Sequence, residues 1–309
     1  VVASAPVNEA VDTSDFVDEP ILRVGVIIVD EETDDEVVIT SDESDFELRD
    51  INENVLARLT AGEKVTAYYT DHRYYYDIGE GVEKSSYALR FVPEKENAVM
   101  RIDNFDRRLT RGSSHADNEF RNILELRYND YKDRIWVINE LPMEQYLQGL
   151  AETSNISHEE YQKSLITAAR TFAYYHYTRN SKRVEEFMHV TAYSEDQVYG
   201  GYGREVRSPR IVDAVEKTRG KVVTYDGELA ITPYFSRSDG RTRDWSDVWW
   251  GDQPWARSVS VPCDVGKTLW GHGVGMSASG ALCMANDGDL YEDILKHFYT
   301  GIELDRRWE

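Results

Sequence analysis

Residues 137–152 read VINELPMEQYLQGLAE, and the change of period inside this stretch decides the fold. The apolar run that begins at Ile135 has strand character and stops at Pro142, a residue that can open a helix without sacrificing an internal hydrogen bond. Beyond it Tyr146, Leu147 and Leu150 return at three- to four-residue spacing, which predicts a short helix between Pro142 and Glu152. Thr153, Ser154 and Asn155 break the pattern. Ser157 and Glu160 then have the spacing of a capping box, and Tyr161, Leu165, Ala169, Phe172 and Tyr175 share one side of a longer helix ending near Asn180. Glu152 is thereby expected at the C-terminal edge of the first helix, where exposed carbonyls disfavour negative charge. With partial desolvation by neighbouring rings it is a candidate proton donor near neutral pH.

Upstream, ILRVGVIIVD from Ile21 is dense in β-branched residues, and EVVITSDES, DFELRD, ALRFVP, AVMRID and NILELRY read as further strands. Tyr68, Tyr69, Tyr74, Tyr75 and Tyr76 suit a half-buried sheet first and a sugar-stacking surface second. The polar tract RRLTRGSSHADNE is expected to be an exposed excursion. Downstream, SPRIVDAVEK predicts a short helix, Asp226-Gly227 a tight hairpin, and GHGVGMSASGALCMANDG a glycine-rich loop feeding a helix. LYEDILKHFYTG adds one more short helical element.

The chain has 309 residues, 41% of them hydrophobic, enough for a sizeable core. Its 57 acidic residues against 35 Lys plus Arg give a formal charge of -22, which excludes a nonspecific phosphate-tracking surface, so nucleic acid is not an expected partner. No run approaches the roughly 18 to 20 apolar residues needed to cross a bilayer. The expected fold class is α+β, with a helix pair and antiparallel sheets plus a small β-rich N-terminal domain or insertion. The expected division is a flexible leader at 1–20, a β-rich subdomain at 21–120 and a core at 121–309, with the first strand a candidate member of the core.

Five phrases in order, VINELPMEQYLQGLAE, AARTFAYYHY, RGKVVTYDGELAITPYFS, VWWGDQPW and GHGVGMS, resemble the SpoIID/LytB family, the stage II sporulation protein D and amidase-enhancer group. The resemblance runs from about Ile21 to Gly301. It implies action on or near bacterial peptidoglycan, and its enzymatic members look like lytic transglycosylases that cut glycan strands stripped of peptide. Glu152 matches the family's catalytic glutamate. The resemblance therefore implies Glu152 as general acid/base, with the muramic C6 hydroxyl attacking C1 to leave 1,6-anhydromuramic ends. One carboxyl suffices for that route, where a hydrolase would more often present two. The chain departs from the family in Thr153-Ser154, where a Met-Pro turn is usual, and in YFSRSDGRTRDWSD at 234–247, where a serine- and glycine-rich stretch is common.

Candidate substrate-binding residues follow. Arg170 is expected either to hold a carboxylate or sugar substituent, or to anchor two segments. Tyr174 and Tyr175 offer ring surfaces or packing. Ser236, Ser238, Asp239 and Thr242 carry polar groups for a cleft, with Arg237 and Arg241 available to acidic wall components, and Trp245, Trp249, Trp250 and Trp255 an aromatic platform. In the glycine-rich tract His272 is a substrate contact or second proton-transfer group, and Ser277 a helix cap or hydroxyl ligand. No cofactor is expected; zinc on Cys263, His272 and Cys283 is a minor alternative, below a Cys263–Cys283 disulfide. The leading expectation is an exported, extracellular or envelope lytic transglycosylase. Its rival is a noncatalytic glycan-binding enhancer of a cell-wall amidase, which would be its protein partner.

Overall fold

The computed structural model describes residues 16–109 and 115–309, so the expected leader falls outside the described residues over 1–15, as does 110–114 of the polar excursion. Residues 16–20 lie against the body of the protein: the Val17 N–H donates to the Arg307 carbonyl, and the Glu19 carboxylate accepts from the Glu144 N–H and pairs with Arg219.

The strand that opens the decisive stretch, Arg134–Pro142, is the structural axis. Trp136, Val137, Ile138 and Leu141 are buried, as an element covered on both faces requires. It pairs antiparallel with Ile21–Ile28 on one side and Ile123–Asn129 on the other, so the first strand of the chain lies beside the strand that leads into the helix pair. The seven-stranded sheet continues through Leu89–Pro93, Phe46–Asp50 and Val55–Leu59, and ends on its other edge in the short parallel strand Val190–Thr191. A cross-strand charge ladder fixes register here. Glu125, fully buried, accepts from Arg23 at 3.0 Å and Arg90 at 2.9 Å, and Arg90 also reaches Glu140 at 3.0 Å.

A six-stranded antiparallel sheet carries the tyrosine-rich segment. Lys64–Thr70 and Arg73–Asp77 form a hairpin in which Tyr68 stacks on Tyr75 at 5.1 Å and Tyr69 lies between Tyr74 and Tyr128. These rings pack on one another across the strands. Together the two sheets and the helices make the fold α+β with antiparallel sheets, as the sequence predicts.

The helical segments are α1 (Val29–Glu32), α2 (Met143–Gln148), α3 (Glu159–Arg179), α4 (Gly201–Arg207), α5 (Pro209–Lys217), α6 (Trp245–Val248), α7 (Ala278–Asp287) and α8 (Tyr291–Phe298). Helix α3 is the hub, packed against α5, α7, α8 and the strand Lys221–Tyr225. Small residues at Ala168, Ala169 and Ala173 let its neighbours approach from several sides, so burial is not confined to the apolar stripe the spacing predicts. Asn180 caps its C-terminus in the left-handed conformation. The expected capping box does not form. His158 is the N-cap, its Nδ1 accepting from the Glu160 N–H, because the Glu160 carboxylate is instead engaged by the Tyr291 N–H and Lys163.

Two short strands, Tyr234–Phe235 and Met276–Ser277, pair in parallel and bring the serine-bearing loop beside the glycine-rich tract. Gly275 permits this: its φ is +77°, and a Cβ there would lie 2.0 Å from the Pro233 carbonyl oxygen. The Asp226-Gly227 turn forms as predicted, both residues at positive φ between Lys221–Tyr225 and Glu228–Leu229.

Candidate functional site: a groove beside Glu152

A groove of about 1000 Å³ runs along α3 from Tyr161 to His176, between it and the 151–157 loop, the 194–198 loop, residues 231–237, α6 and the start of α7. Its lining includes Glu152, Ser236 and His272, so three of the residues singled out in the sequence meet in one place.

Glu152 is not at the edge of α2, which ends at Gln148, but four residues beyond it in a loop, because Leu150 bridges to Tyr199 and Ala151 donates to the Val198 carbonyl. The cause of its altered acidity differs accordingly from the expected helix-end effect. Burial raises the Glu152 pKa above the ordinary glutamate value, and the hydrogen bond from the Val198 N–H partly opposes that. Behind it lies a buried relay that the sequence did not reveal. Tyr146 donates to Gln197 at 2.9 Å, and Gln197 donates to the Tyr234 hydroxyl at 3.1 Å and the Ala169 carbonyl at 3.2 Å. Burial first, then the Glu152 charge, pushes the Tyr234 phenol well up, so Tyr234 meets the groove as a neutral hydroxyl.

His272 presents its ring face. Its Nδ1 accepts from the Val274 N–H at 3.1 Å, which leaves the proton on Nε2 to donate to the Tyr234 carbonyl at 3.0 Å. Burial lowers its pKa, the Tyr234 carbonyl acting in the other direction. Both nitrogens are occupied by backbone, so the ring buttresses Trp249 at 4.8 Å and Phe235 at 5.4 Å rather than standing free for proton transfer. Trp245 meets Trp249 edge-on at 4.6 Å, and both tryptophans line the groove.

The other sequence-derived candidates lie elsewhere. Of the two roles open to Arg170, its position serves the anchoring one: fully buried, it pairs with Glu144 at 2.7 Å and also donates to the Lys221 and Val215 carbonyls. Glu144 in turn accepts from Trp308 Nε1 at 2.9 Å and the Gly220 N–H at 3.0 Å, tying the C-terminus to α2 and α3. Tyr174 is buried with its ring against Trp308, and Tyr175 lies under Arg179, outside the groove lining. Asp239 is exposed and pairs with Arg243 at 2.7 Å; buried Thr242 accepts from the Val259 N–H at 2.8 Å.

Ser238 and Ser277 are buried behind the groove and converge on Asp264, donating to its Oδ2 at 2.8 Å and 2.6 Å. Ser277 also caps α7, accepting from the Gly280 N–H. Burial alone would raise the Asp264 pKa, but Ser277, Ser279, Lys267 and Ser238 outweigh it and hold the carboxyl well below the usual range. Asp264 carries no motif of its own; only its place beside Cys263 marks it in the sequence.

Cys263 and Cys283 form a disulfide that fastens this turn to α7. The Asp287 carboxylate comes within 4.8 Å of both sulfurs, so three donor atoms of the kinds a zinc site uses gather here, with Asp287 in place of the expected His272. Zinc would take these sulfurs only as thiolates, that is with the disulfide reduced.

Residues 131–225, from the axial strand through the helix pair to the Lys221–Tyr225 strand, match the SpoIID family of stage II sporulation proteins. Over this region the chain is similar to the SpoIID/LytB family, the stage II sporulation protein D and amidase-enhancer group. Stage II sporulation protein D of Bacillus subtilis is 23% identical over 258 residues, covering 54% of this chain and 75% of the relative. An uncharacterized protein of Brachyspira hyodysenteriae is 32% identical over 120 residues, 38% of this chain and 31% of its own. The amidase enhancer of Bacillus subtilis is 35% identical over 109 residues, 35% of this chain and 14% of its own. Among the described residues no helix is long and apolar enough to cross a membrane.

Proposed function

We propose that this protein, exported to the cell envelope, holds a peptidoglycan glycan strand in its groove and acts as a noncatalytic enhancer of a cell-wall amidase. The observation that carries the reading is the pair of groove-lining tryptophans, Trp245 and Trp249, backed by His272. Rigid amphipathic rings of this kind stack on the apolar faces of sugars while hydroxyls such as those of Tyr234 and Ser236 take polar contacts. The match to a relative named an amidase enhancer supports the choice of partner.

A second reading, strand cleavage, is favoured by one observation: a glutamate of raised pKa lies in the same groove. Glu152 would give its proton to the glycosidic oxygen as the bond from C1 breaks. The muramic C6 hydroxyl would then close on C1 and return its proton to the carboxylate, leaving a 1,6-anhydro end. The neighbouring groove acids suit this intramolecular route better than hydrolysis. Asp196 is paired with Lys182 and Arg183, and Glu195 with Arg183, so neither stands ready to activate water.

A time course on purified peptide-stripped glycan, read by mass spectrometry alongside amidase release rates, separates the two. The enhancer reading predicts glycan binding, faster amidase turnover and no anhydromuramic product from either the wild type or Glu152→Gln. Product from the wild type that disappears in Glu152→Gln would establish cleavage instead.

A further inference from the structure

One covalent bond stands behind the groove wall. The Cys263–Cys283 disulfide joins the turn Pro262–Asp264 to α7 across a sequence separation of 20. Each cysteine adjoins a residue of the wall. Leu282, beside Cys283, lines the groove, and Asp264, beside Cys263, is the carboxylate on which Ser238 and Ser277 converge from behind. Over residues 262–268 Asp264 is the one buried residue, and both cysteines are half-buried. The other ties between this turn and the wall are polar: the Asp264 contacts, Lys267 donating to Ser279 at 2.7 Å, and Arg237 donating to the Thr268 carbonyl at 2.9 Å. A carboxylate buried beneath an exposed turn regains its hydration when the turn lifts, so these contacts alone leave a shallow balance. The cross-link tips it by restricting the open chain. A third group attends the bond: the exposed Asp287 carboxylate lies within 4.8 Å of both sulfurs, its Oδ2 3.7 Å from the Cys283 Sγ.

We propose that this disulfide is a redox latch on the groove, closed in the binding-competent protein, opened by a dithiol reductant and guarded by Asp287. It rests on the glycan reading for what the groove holds, and adds the regulation of that site. In opening, the dithiol supplies two electrons and two protons. Its thiolate attacks one sulfur and breaks the Cys263–Cys283 bond; its second thiol resolves the mixed disulfide, so that the reductant leaves as its own disulfide and both cysteines end as thiols. The freed turn lifts with Asp264, Ser238 and Ser277 lose their acceptor, and the wall residues Ser236, Ser279 and Leu282 lose their fixed positions. Asp287 opposes the first step whichever sulfur is attacked. Attack on Cys283 brings the incoming thiolate against the carboxylate, and attack on Cys263 places the leaving charge on Cys283, 3.7 Å from it. The groove is thereby set where the surroundings are oxidising, which accords with the export proposed above.

The test follows amide hydrogen exchange by mass spectrometry in the whole protein, oxidised, reduced with dithiothreitol, and as the double variant Cys263→Ser, Cys283→Ser. Exchange over residues 235–240, 262–268 and 276–283 is expected to quicken about tenfold or more on reduction and in the double variant, while α3 keeps its protection and reoxidation of the wild type restores the slow rates. Binding of purified glycan strands should weaken in step. The guard is read separately by trapping free thiols during reduction: Asp287→Asn should lose its disulfide to dithiothreitol about threefold or more faster than the wild type. Unchanged exchange in the three segments overturns the latch, and so does loss of protection in α3 as well, which would make the bond a staple of the whole fold. Reduction of Asp287→Asn at the wild-type rate overturns the guard. Oxidised wild type that binds no glycan overturns the glycan reading, and the exchange rates then decide the latch by themselves.

Discussion

At Asp264 one carboxylate organises the groove wall from behind. It receives hydroxyls from Ser238 and Ser277 and an ammonium from Lys267, and its side chain is fully buried. Replacing it with alanine leaves two buried hydroxyls without an acceptor, so Asp264→Ala should lower folding stability by about 2 to 4 kcal/mol, measured by urea denaturation. A loss below about 0.5 kcal/mol would mean that the hydroxyls find other acceptors. Neither Ser238 nor Ser277 announces this role in the sequence. They are 39 positions apart and meet only because Tyr234–Phe235 and Met276–Ser277 pair in parallel. Glu152 was legible because a recognisable phrase ends on it; Arg170 was only half so. Its partner Glu144 lies 26 positions away on another helix, and nothing local distinguishes a buried ion pair from a ligand grip.

Helix α3 is the element most fully legible from period alone, and its end at Asn180 agrees with the reading. Its N-cap was missed because Glu160 is drawn away by Tyr291, a contact spanning 131 positions that no local capping rule contains. The helix also carries a pH response. Burial, reinforced by Lys182, lowers the pKa of His176 from 6.5 to about 4, and burial with Arg23 does the same to His189 on the adjoining segment. Both are held neutral in the folded state while the unfolded chain takes up protons below its ordinary value. Their contribution is therefore complete above pH 6.5 and is lost as pH falls towards 4, by at most about 3 kcal/mol each. Denaturation midpoints followed across this window should fall with acid, and His176→Gln should flatten the slope. An unchanged slope in that variant would remove His176 from the account.

For the whole molecule, the Glu144–Arg170–Trp308 junction ties α2, α3 and the C-terminal segment together, and the groove beside α3 gathers Glu152, Tyr234, His272 and two tryptophans. Fold class and the general location of the groove could be read from the order of the phrases. Which side chains face it could not, since Ser236 faces in while Ser238, two residues on, is buried behind. Binding of purified peptidoglycan glycan strands, compared between the wild type and the double variant Trp245→Ala, Trp249→Ala, tests the central claim most directly. Saturable binding by the wild type, weakened at least about tenfold in the double variant at an unchanged melting temperature, is the predicted result. Equal affinity in the two proteins, or none in the wild type, would contradict it.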